Sequence, residues 1–333
     1  MTDLSIIIVN YKTPGLVVDC LRSVYAGTEG IRFEVIVVDN ASGDDSERRI
    51  RDAYPEVRWL QMGCNAGFSR ANNAGIRMSD GAAVLLLNSD TLAEGNALGN
   101  CCRLLAGSDY VAAGVQLLNV DRTPQISGNF AMRGGLNYLL PLPFLGAWVK
   151  RVAGLFGVAK PNVPEASGLV EVDWINGAFL MVKRSAFALA GLMDEDFFLY
   201  AEEAEWCGRL RKIGRLCIYG QFHVVHLQGV SANEAFGSEG KGYYNLFDRK
   251  GLQIMLSNFV RIRKQFGVGW FVLQLGFYWL DMPVFGAGLL LSALRTRRRY
   301  DWAMWRGYCR NVAYITGKAV TIIRNKPYFY KVI

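Results

Sequence analysis

The chain has 333 residues, of which half (51%) are hydrophobic and a fifth (20%) are charged. This composition excludes a disordered or fibrous protein, and the length suits one large α/β domain or two smaller ones. The net charge of +8 is unevenly distributed: residues 236–333 hold 16 Lys/Arg against 4 Asp/Glu, whereas residues 1–235 carry a net charge of −4. A mildly acidic body followed by a strongly basic tail predicts that the tail meets an anionic surface.

Seven cysteines are scattered without a Cys-x-x-Cys pair, and the chain has two histidines. These numbers argue against a Cys/His zinc site and favour reduced thiols in a cytosolic protein. The first residues run straight into an apolar strand, without a basic segment followed by an apolar one. The sequence therefore predicts no signal peptide and a cytosolic location.

Strands and helices alternate in the first 118 residues. Continuous apolar runs predict buried parallel strands at Leu4–Val9, Phe33–Val38 and Ala82–Leu87, with a shorter strand at Val57–Gln61. A helical pattern follows each of the first two long runs and the short one, which is typical of a doubly wound α/β sheet. Ligands of such sheets bind beyond the carboxyl ends of the strands. The polar residues at these ends are Asn10, Tyr11, Asp39, Asn40, Asn65 and Asp90.

The middle of the chain is less regular. Residues 134–160 are apolar but contain Pro141 and Pro143, so they predict a flexible or membrane-touching loop rather than one helix. An acidic helix is predicted over Tyr200–Lys212, and His226 follows at the end of an apolar strand.

Two carboxylates follow buried strands. Asp39 could accept the N–H of a pyrimidine ring, although taken alone an Asp in this position is better explained by an Asx turn or a helix cap. Asp90 closes the segment Asn88-Ser-Asp90 and could bind a hard divalent cation that also holds a diphosphate. The sequence contains neither a GxxxxGK[ST] loop nor a GxGxxG fingerprint, which argues against a P-loop NTPase or a dinucleotide-binding enzyme.

Three glutamates crowd one helical turn. Glu202, Glu203 and Glu205 would raise one another's pKa, which suits a general base or a metal site. A solvated acidic first turn, favoured by the helix dipole, is the simpler alternative.

The basic tail contains a long apolar segment over residues 268–294, which is split by Asp281 and Pro283. Arg295-Thr-Arg-Arg-Arg299 and two tryptophans follow, and this mixture is typical of an anionic bilayer interface. We therefore expect two short in-plane or re-entrant helices; a true span and a soluble helical cap remain alternatives. Nucleic-acid binding is disfavoured because the arginines alternate with Trp and apolar runs.

Taken together, these loops resemble the inverting family 2 glycosyltransferases of the GT-A fold, and most closely the bacterial rhamnosyltransferase-like members that build surface polysaccharides. The resemblance covers residues 4–231. It rests on Ile8-Val-Asn-Tyr11, Val37-Val-Asp-Asn-Ala-Ser42, Asn65-Ala-Gly-Phe68 with Asn72-Asn-Ala-Gly75, Leu87-Asn-Ser-Asp-Thr91, Trp174-Ile-Asn-Gly-Ala178, Phe197-Phe-Leu-Tyr-Ala-Glu-Glu-Ala-Glu205 and His226.

The resemblance implies roles for individual residues. Glu203 would be the catalytic base, and Asp90 with His226 would contact a Mg²⁺ or Mn²⁺ ion that bridges the diphosphate. The donor-sugar and acceptor pocket would contain Trp174, Asn176, Gly177 and Glu202. The nucleotide would be bound by Asn10, Tyr11, Asp39, Asn40, Asn65, Asn73 and Ser89.

The resemblance also implies a GT-A catalytic domain over 1–235: a Rossmann-like, mostly parallel sheet flanked by helices. Its nucleotide-binding half would cover about 1–118 and its acceptor half about 165–235, followed by a helical membrane-association region at 236–333. The expected reaction is inverting transfer from a nucleotide-sugar, with dTDP-L-rhamnose favoured, to a lipid-linked saccharide at the cytoplasmic face of the plasma membrane. The alternative is a non-catalytic scaffold that binds nucleotide-sugar or partner enzymes.

Overall fold

A computed structural model describes residues 2–155, 162–227, 245–296 and 302–332. The chain forms two compact units. Of the described residues, the first unit comprises 2–130, 162–198 and 202–227, and the second comprises 131–155, 199–201, 245–296 and 302–332. The predicted domain boundary at residues 235 and 236 lies outside the described residues and stays a prediction.

The first unit is built on a nine-stranded sheet with helices on both sides. Its first half is parallel, in the spatial order β3–β2–β1–β4. The β-branched runs that form these strands are buried on both faces, as the sequence predicts. The elements of this half are β1 (Leu4–Asn10), α1 (Pro14–Gly27), β2 (Phe33–Asp39), α2 (Ser46–Ala53), β3 (Arg58–Gln61), α3 (Gly67–Met78) and β4 (Ala83–Asn88).

The second half of the sheet is mixed and continues from β4 in the order β11–β6–β12–β5, with β9 paired to β12. The strand β11 is antiparallel to both of its neighbours, whereas β6 and β12 are parallel to each other. These elements are β5 (Thr91–Ala93), α4 (Ala97–Ala106), β6 (Tyr110–Leu118), β9 (Leu169–Val172), β11 (Phe179–Lys183), α6 (Phe187–Ala190), α7 (Glu202–Leu210) and β12 (Arg215–His226). A separate small sheet is formed by β7 (Gly128–Asn129), β8 (Asn162–Val163) and β10 (Trp174–Ile175).

A bulge interrupts β12. Tyr219 pairs with Val115 of β6, but the next residue of β6, Gln116, pairs with His223. Three extra residues, 220–222, are therefore accommodated in β12 before the strand reaches His226. At its far end β12 pairs with β5, which sets His226 opposite Thr91.

The second unit is helical. It contains a 3₁₀ segment (Arg133–Leu139), α5 (Leu145–Leu155), α8 (Arg249–Phe266), α9 (Val268–Thr296) and α10 (Trp302–Arg324). Within the described ranges, α9 is the helix that is long and apolar enough to cross a membrane by length and composition.

Two predictions about this unit are wrong. First, α9 is one helix of 29 residues rather than two halves, although it contains Pro283. A proline inside a helix costs about 3 kcal/mol, because it removes the hydrogen bond to the carbonyl four residues earlier, and in this region α9 also packs against α10. The indole of Trp305 donates a hydrogen bond to the Met282 carbonyl at 3.0 Å, and the hydroxyl of Tyr308 donates one to the Tyr278 carbonyl at 3.2 Å.

The second correction concerns residues 134–160, which were expected to form a loop. Among those described, Leu145–Leu155 form the helix α5, and the 3₁₀ segment precedes it. The helix begins only after Pro143, so neither proline lies inside it. The expected loop is therefore mostly regular structure, and α5 packs against α9 through the ring of Phe144, which lies over Gly288.

Candidate functional site

Asp39 is the centre of a buried polar cluster at the carboxyl ends of β1, β2 and β3. Its Oδ1 accepts hydrogen bonds from Asn10 Nδ2 at 2.7 Å and from Ser42 Oγ at 2.5 Å. Its Oδ2 accepts from the Ser42 backbone N–H at 2.9 Å and from Gln61 Nε2 at 2.8 Å. A carboxylate has about four acceptor positions, so the protein fills all of them. The Asx turn considered as a simple alternative is present, and it fixes the carboxylate in place.

Gln61 is the exposed member of this cluster, and the other three side chains are buried. It lies opposite Asp39 in the register of β2 and β3. Because a side-chain amide and a pyrimidine imide both present an N–H, Gln61 holds the position at which a base would meet Asp39 Oδ2. A base that reaches this oxygen has to displace the Gln61 amide.

Asn40 and Asn65 join the loop after β2 to the start of α3. Asn40 Nδ2 donates to Asn65 Oδ1 at 3.0 Å, and Asn40 Oδ1 accepts from the Ala66 N–H at 2.9 Å. The turn closes at Gly67, whose φ of +77° suits glycine, and an added Cβ would lie 2.3 Å from the Phe198 carbonyl oxygen. The two asparagines thus shape the loop itself, and their predicted contact with a nucleotide remains a prediction.

The other predicted nucleotide-binding residues lie in different settings. Both amide atoms of Asn73 bond the chain at Met193, and its Nδ2 also donates to Glu195 Oε1 at 3.0 Å. Its hydrogen bonds therefore anchor residues 193–195 to α3, and none goes to the Asp39 cluster. Tyr11 is half-buried directly after β1, and Ser89 is buried in the turn after β4.

Asp90 and His226 meet where β5 pairs with β12. His226 Nε2 lies 3.3 Å from Asp90 Oδ1, and both side chains are buried. On the other side of the imidazole, Nδ1 lies 3.0 Å from Gln125 Oε1. Gln125 Nε2 donates to the carbonyl oxygen of His226 at 2.6 Å and to Asn119 Oδ1 at 2.9 Å.

These contacts assign the tautomer of His226. The two bonds from Gln125 Nε2 go to oxygen acceptors, so this atom must be the NH₂ group and Oε1 must be an acceptor. Nδ1 of His226 therefore carries a hydrogen, and in the neutral imidazole the lone pair of Nε2 points toward Asp90. An imidazole nitrogen and a carboxylate oxygen then face the same point, as metal ligands do, with Gln125 behind them as the orienting group.

This donor pair fits a divalent cation with an incomplete protein shell. No group of three or more His, Cys, Asp or Glu side chains able to hold a metal is found among the described residues. Two protein ligands leave most positions of a six-coordinate ion for diphosphate oxygens and water. An imidazole ligand suits Mn²⁺ better than Mg²⁺, which prefers oxygen.

The glutamates at the start of α7 are buried, and they differ from one another. Glu205 forms an ion pair with Arg209, with a 2.8 Å contact from Nη2 to Oε2. Burial raises the pKa of Glu202 well above its usual range, and the charge of Glu203 raises it further. Glu202 Oε2 has no hydrogen-bond partner among the described residues. Because adjacent carboxylates repel, the raised pKa of Glu202 means that the first proton of the pair is held on Glu202 rather than on Glu203.

Gly177 lies directly beside Glu203. A Cβ added at Gly177 would lie 3.4 Å from both Cβ and Cγ of Glu203. Asn176 shapes this turn, because its Oδ1 accepts from the Ala178 N–H and its Nδ2 donates to the Ile126 carbonyl. The indole Nε1 of Trp174 is buried and has no acceptor among the described residues. Of the predicted pocket residues, Gly177 is thus placed against Glu203 and Asn176 holds the turn that contains Gly177, while the pocket itself stays a prediction.

The topology of the sheet orders these three groups along one edge. β2, β1, β4 and β11 are successive neighbours, and the antiparallel β11 begins where β4 ends. Neighbouring strands lie about 4.8 Å apart. The end of β2, with Asp39, is therefore about 10 Å from the end of β4 that precedes Asp90. Gly177 precedes β11, which is the next strand beyond β4. The end of β4 that precedes Asp90 therefore lies between the Asp39 cluster and Gly177, and the pairing of β12 with β5 brings His226 to Asp90.

Three contributors were missed from the sequence. Ser42 and Gln61 were within reach, since Ser42 stands in the loop after β2 and Gln61 ends a neighbouring strand. Gln125 gave no signal, because it lies in a loop outside every recognised motif and reaches His226 only through the tertiary structure.

The fold is that of the GT-A glycosyltransferases. A mannosyltransferase of Pyrobaculum calidifontis in complex with GDP-Man and Mn²⁺ matches 98% of this chain and 90% of its own, with a TM-score of 0.53 and 17% identity. GalNAc-T7 with UDP, GalNAc and Mn²⁺ matches 79% of this chain and 48% of its own, with a TM-score of 0.56 and 14% identity.

Residues 5–134 match the model of glycosyl transferase family 2. The chain is 29% identical over 221 residues to the low-salt glycan biosynthesis hexosyltransferase Agl10 of Haloferax volcanii, a match that covers 64% of this chain and 62% of that relative. It is 28% identical over 250 residues to the N-acetylglucosaminyl-diphospho-decaprenol L-rhamnosyltransferase of Mycobacterium tuberculosis, covering 66% of this chain and 74% of the relative. The rhamnosyltransferase WbbL of Escherichia coli is 25% identical over 233 residues.

Proposed function

We propose that this protein transfers a sugar, with inversion, from a nucleotide-sugar to a hydroxyl of a lipid-linked saccharide. The observation that carries the proposal is the order of groups along the sheet edge. A carboxylate suited to a base, a donor pair suited to a divalent cation and a buried acidic pair follow one another at the spacing of the strands. A nucleoside diphosphate-sugar presents a base, a diphosphate and a sugar in the same order.

The reaction is a single displacement. Glu203 accepts the proton of the acceptor hydroxyl while that oxygen forms a bond to the anomeric carbon. The bond from the anomeric carbon to the diphosphate breaks, and the nucleoside diphosphate leaves with the electron pair. The raised pKa of the buried Glu202 favours placing the negative charge of the pair on Glu203. Gly177 leaves room for the acceptor beside Glu203, because any side chain there would fill the space.

Asp90 and His226 would hold Mn²⁺ or Mg²⁺ against the diphosphate. When bound, the cation supplies charge stabilisation for the leaving group. The chain's own contribution is to orient the two ligands, through Gln125 behind His226 and through the pairing of β5 with β12. The Mn²⁺-containing structures of similar fold support the choice of a divalent cation.

We propose dTDP-L-rhamnose as the donor and a polyprenyl diphosphate-linked saccharide as the acceptor. The support for this choice is that one relative is named an N-acetylglucosaminyl-diphospho-decaprenol L-rhamnosyltransferase and another a rhamnosyltransferase. The competing donors are UDP-, GDP- and CMP-sugars. The competing function is that of a non-catalytic scaffold that binds nucleotide-sugar or partner enzymes.

A thermal-shift panel tests donor binding first. The full chain in detergent is heated with dTDP-rhamnose or with UDP-, GDP- and CMP-sugars, each with Mn²⁺, Mg²⁺ or EDTA. A donor at 100 times its Kd stabilises the fold by about 2.7 kcal/mol. We expect a metal-dependent shift with dTDP-rhamnose, and a shift with another nucleotide-sugar alone would replace the proposed donor.

The variant Glu203→Gln tests catalysis. A lost general base lowers the rate by about 10²–10⁴-fold, while the donor-induced thermal shift should persist. Transfer is measured with a short-chain polyprenyl diphosphate N-acetylglucosamine as acceptor. Glu205→Gln is the matched control, because it makes the same change two residues away on a side chain paired with Arg209. Donor binding without transfer in the wild-type chain, over a panel of such acceptors, would favour the scaffold.

A further inference from the structure

The helix α9 buries its polar side chains and exposes its apolar ones. One row of α9 packs against the rest of the second unit, with members spaced alternately three and four residues apart: Phe271, Gln274, Tyr278, Asp281 and Phe285. Three of these five side chains are polar, and Gln274 and Asp281 are completely buried. Gln274 donates to the Gly134 carbonyl, and Tyr278 donates to the Tyr138 carbonyl at 3.0 Å. Soluble helices place such groups on the opposite side.

The opposite side of α9, called here the outer face, is apolar along its whole length. Asp281 is the only charged residue in the sequence from Val268 to Leu294, and it is buried. The large side chains of the outer face are between 41% and 70% exposed. They are Val272, Leu273, Leu280, Val284, Leu290, Leu291 and Leu294. A continuous exposed apolar surface of this kind marks an interaction site.

Basic residues flank the outer face. Arg295 is exposed at the end of α9, and the sequence continues with Arg297, Arg298 and Arg299. On α5, which begins against α9 at Gly288, Trp148 is 61% exposed and is followed by exposed Lys150 and Arg151. Tryptophan and clustered basic side chains around an apolar face match the boundary between acyl chains and anionic headgroups. A second copy would bring the same positive charges together, so charge complementarity favours lipid.

The neighbours of α9 argue that the helix lies along the membrane rather than across it. The ring of Phe259 on α8 packs against Phe271 and Tyr278, and the ring of Tyr308 on α10 packs against Phe285. A helix of 29 residues is about 43 Å long, so a transmembrane α9 would take these partners into the hydrocarbon. Both partners carry several arginines, each of which is costly at that depth. These charges are on α8 at Arg261 and Arg263 and on α10 at Arg306 and Arg310.

We propose that the second unit binds the surface of an anionic bilayer, with α9 parallel to the membrane plane and its outer face inserted among the upper acyl chains. The buried row then serves to hold α8, α10 and the 3₁₀ segment on the protein side of α9. The partner is a lipid surface, whatever reaction the first unit performs. The proposal therefore stands or falls independently of the proposed glycosyl transfer.

Flotation with vesicles tests whether the chain binds lipid and whether the outer face of α9 is the binding surface. The full chain is mixed with vesicles of phosphatidylcholine containing 30% phosphatidylglycerol, or with phosphatidylcholine alone. We expect binding to the anionic vesicles and at least tenfold weaker binding for the double variant Leu280→Glu/Leu291→Glu. Each of Arg151→Gln and Arg295→Gln, which remove charges beside the outer face, should weaken binding about fivefold. Leu169→Glu/Leu189→Glu is the matched control, since both leucines are exposed in the first unit.

Accessibility to an impermeant maleimide tests the orientation. Single cysteines replace Gly269 and Thr296 at the two ends of α9, in a background of Cys64→Ser and Cys309→Ser, the cysteines that are not buried. Helix α9 in the membrane plane predicts labelling of both cysteines from outside the vesicle, whereas protection of one end would show a span and overturn the proposal. Equal binding to neutral vesicles, equal loss in the control, or self-association that Leu280→Glu abolishes would overturn it too. A retained donor-induced thermal shift in the variants keeps this result separate from the test of catalysis.

Discussion

The two units of the chain use buried polar side chains in opposite ways. In the first unit a cluster of buried polar groups lies at the carboxyl ends of the parallel strands, where Asp39 accepts four hydrogen bonds. In the second unit three of the five buried side chains of α9 are polar, and its exposed face is apolar. Buried polarity therefore shapes a sheet edge in one unit and fixes helix packing in the other, so burial alone does not identify a site.

The largest expected effect comes from removing the negative charge of Asp90 at the carboxyl end of the sheet. Asp90→Asn should lower transfer about 10³-fold, because it removes the carboxylate ligand of a cation worth several kcal/mol. The Mn²⁺-dependent part of the donor-induced thermal shift should disappear as well. Asp19→Asn serves as control, since that side chain is in an exposed ion pair with Arg22. If the metal-dependent shift survives in Asp90→Asn, the assignment of Asp90 is wrong.

The pH dependence of stability should reveal the buried carboxyl group of Asp281 in the second unit. Burial raises the pKa of Asp281 from 3.8 to about 7. Because the folded state holds this proton more tightly than the unfolded state, the contribution is fully present below about pH 4 and is lost as the pH rises through about 7.

Asp281→Asn should therefore abolish a fall of about 2–4 kcal/mol in the free energy of unfolding between pH 4 and pH 8. Urea unfolding of both proteins at several pH values measures this. The comparison must be a difference between the two proteins, since Glu202 in the first unit contributes with the same sign. Parallel curves for wild type and variant would contradict the assignment.

Gln125→Leu should disturb the orientation of His226 without changing either proposed metal ligand. The Nδ1–H of His226 would lose its acceptor, and the imidazole would lose its fixed tautomer. Loss of such an orienting group costs about 10–100-fold in metal affinity. The affinity for Mn²⁺ is measured by titration in the presence of UDP or dTDP, followed by electron paramagnetic resonance. Gln116→Leu would be a poor control, because the side chain of Gln116 accepts a hydrogen bond from the buried Ala166 N–H. Gln221→Leu, an exposed glutamine of the same β12 bulge, is the better one. An unchanged affinity would mean that His226 needs no partner.

The smallest effect is expected at Gln61. The Gln61 amide donates a hydrogen bond to Asp39 Oδ2, and a bound nucleotide would have to break it. Because Gln61→Ala removes this bond in advance, the variant should bind the donor about two- to fivefold more tightly, which corresponds to roughly one hydrogen bond. Isothermal titration with the preferred nucleoside diphosphate provides the number. Weaker binding would show that Gln61 contacts the nucleotide instead of standing in for it.

The sequence predicted the parallel half of the sheet because its signals are local. Each buried strand is a continuous apolar run, and Asn10, Asp39 and Asp90 follow where those runs stop. Strand order then brings the ends together with no further information. The turn containing Gly177 and the start of α7 were also recognised, through their motifs, although nothing local indicates that Gly177 lies against Glu203.

The remaining features depend on contacts between distant parts of the chain. Local propensity alone predicts a break at Pro283, whereas α9 continues through it in a region that also packs against α10. Asn73 stands inside a recognised motif, yet its partners at Met193 and Glu195 lie about 120 residues further along the chain. Gln125 likewise finds His226 101 residues away.

The bulge in β12 separates the length of this segment from the position of the histidine. Tyr219 and His223 are four residues apart, yet they pair with consecutive residues of β6, so the bulge takes up residues 220–222 without shifting the pairing that follows. The position of His226 is instead set by its pairing opposite Thr91 of β5. A homologue with a longer or shorter bulge would therefore keep both the fold and the histidine beside Asp90.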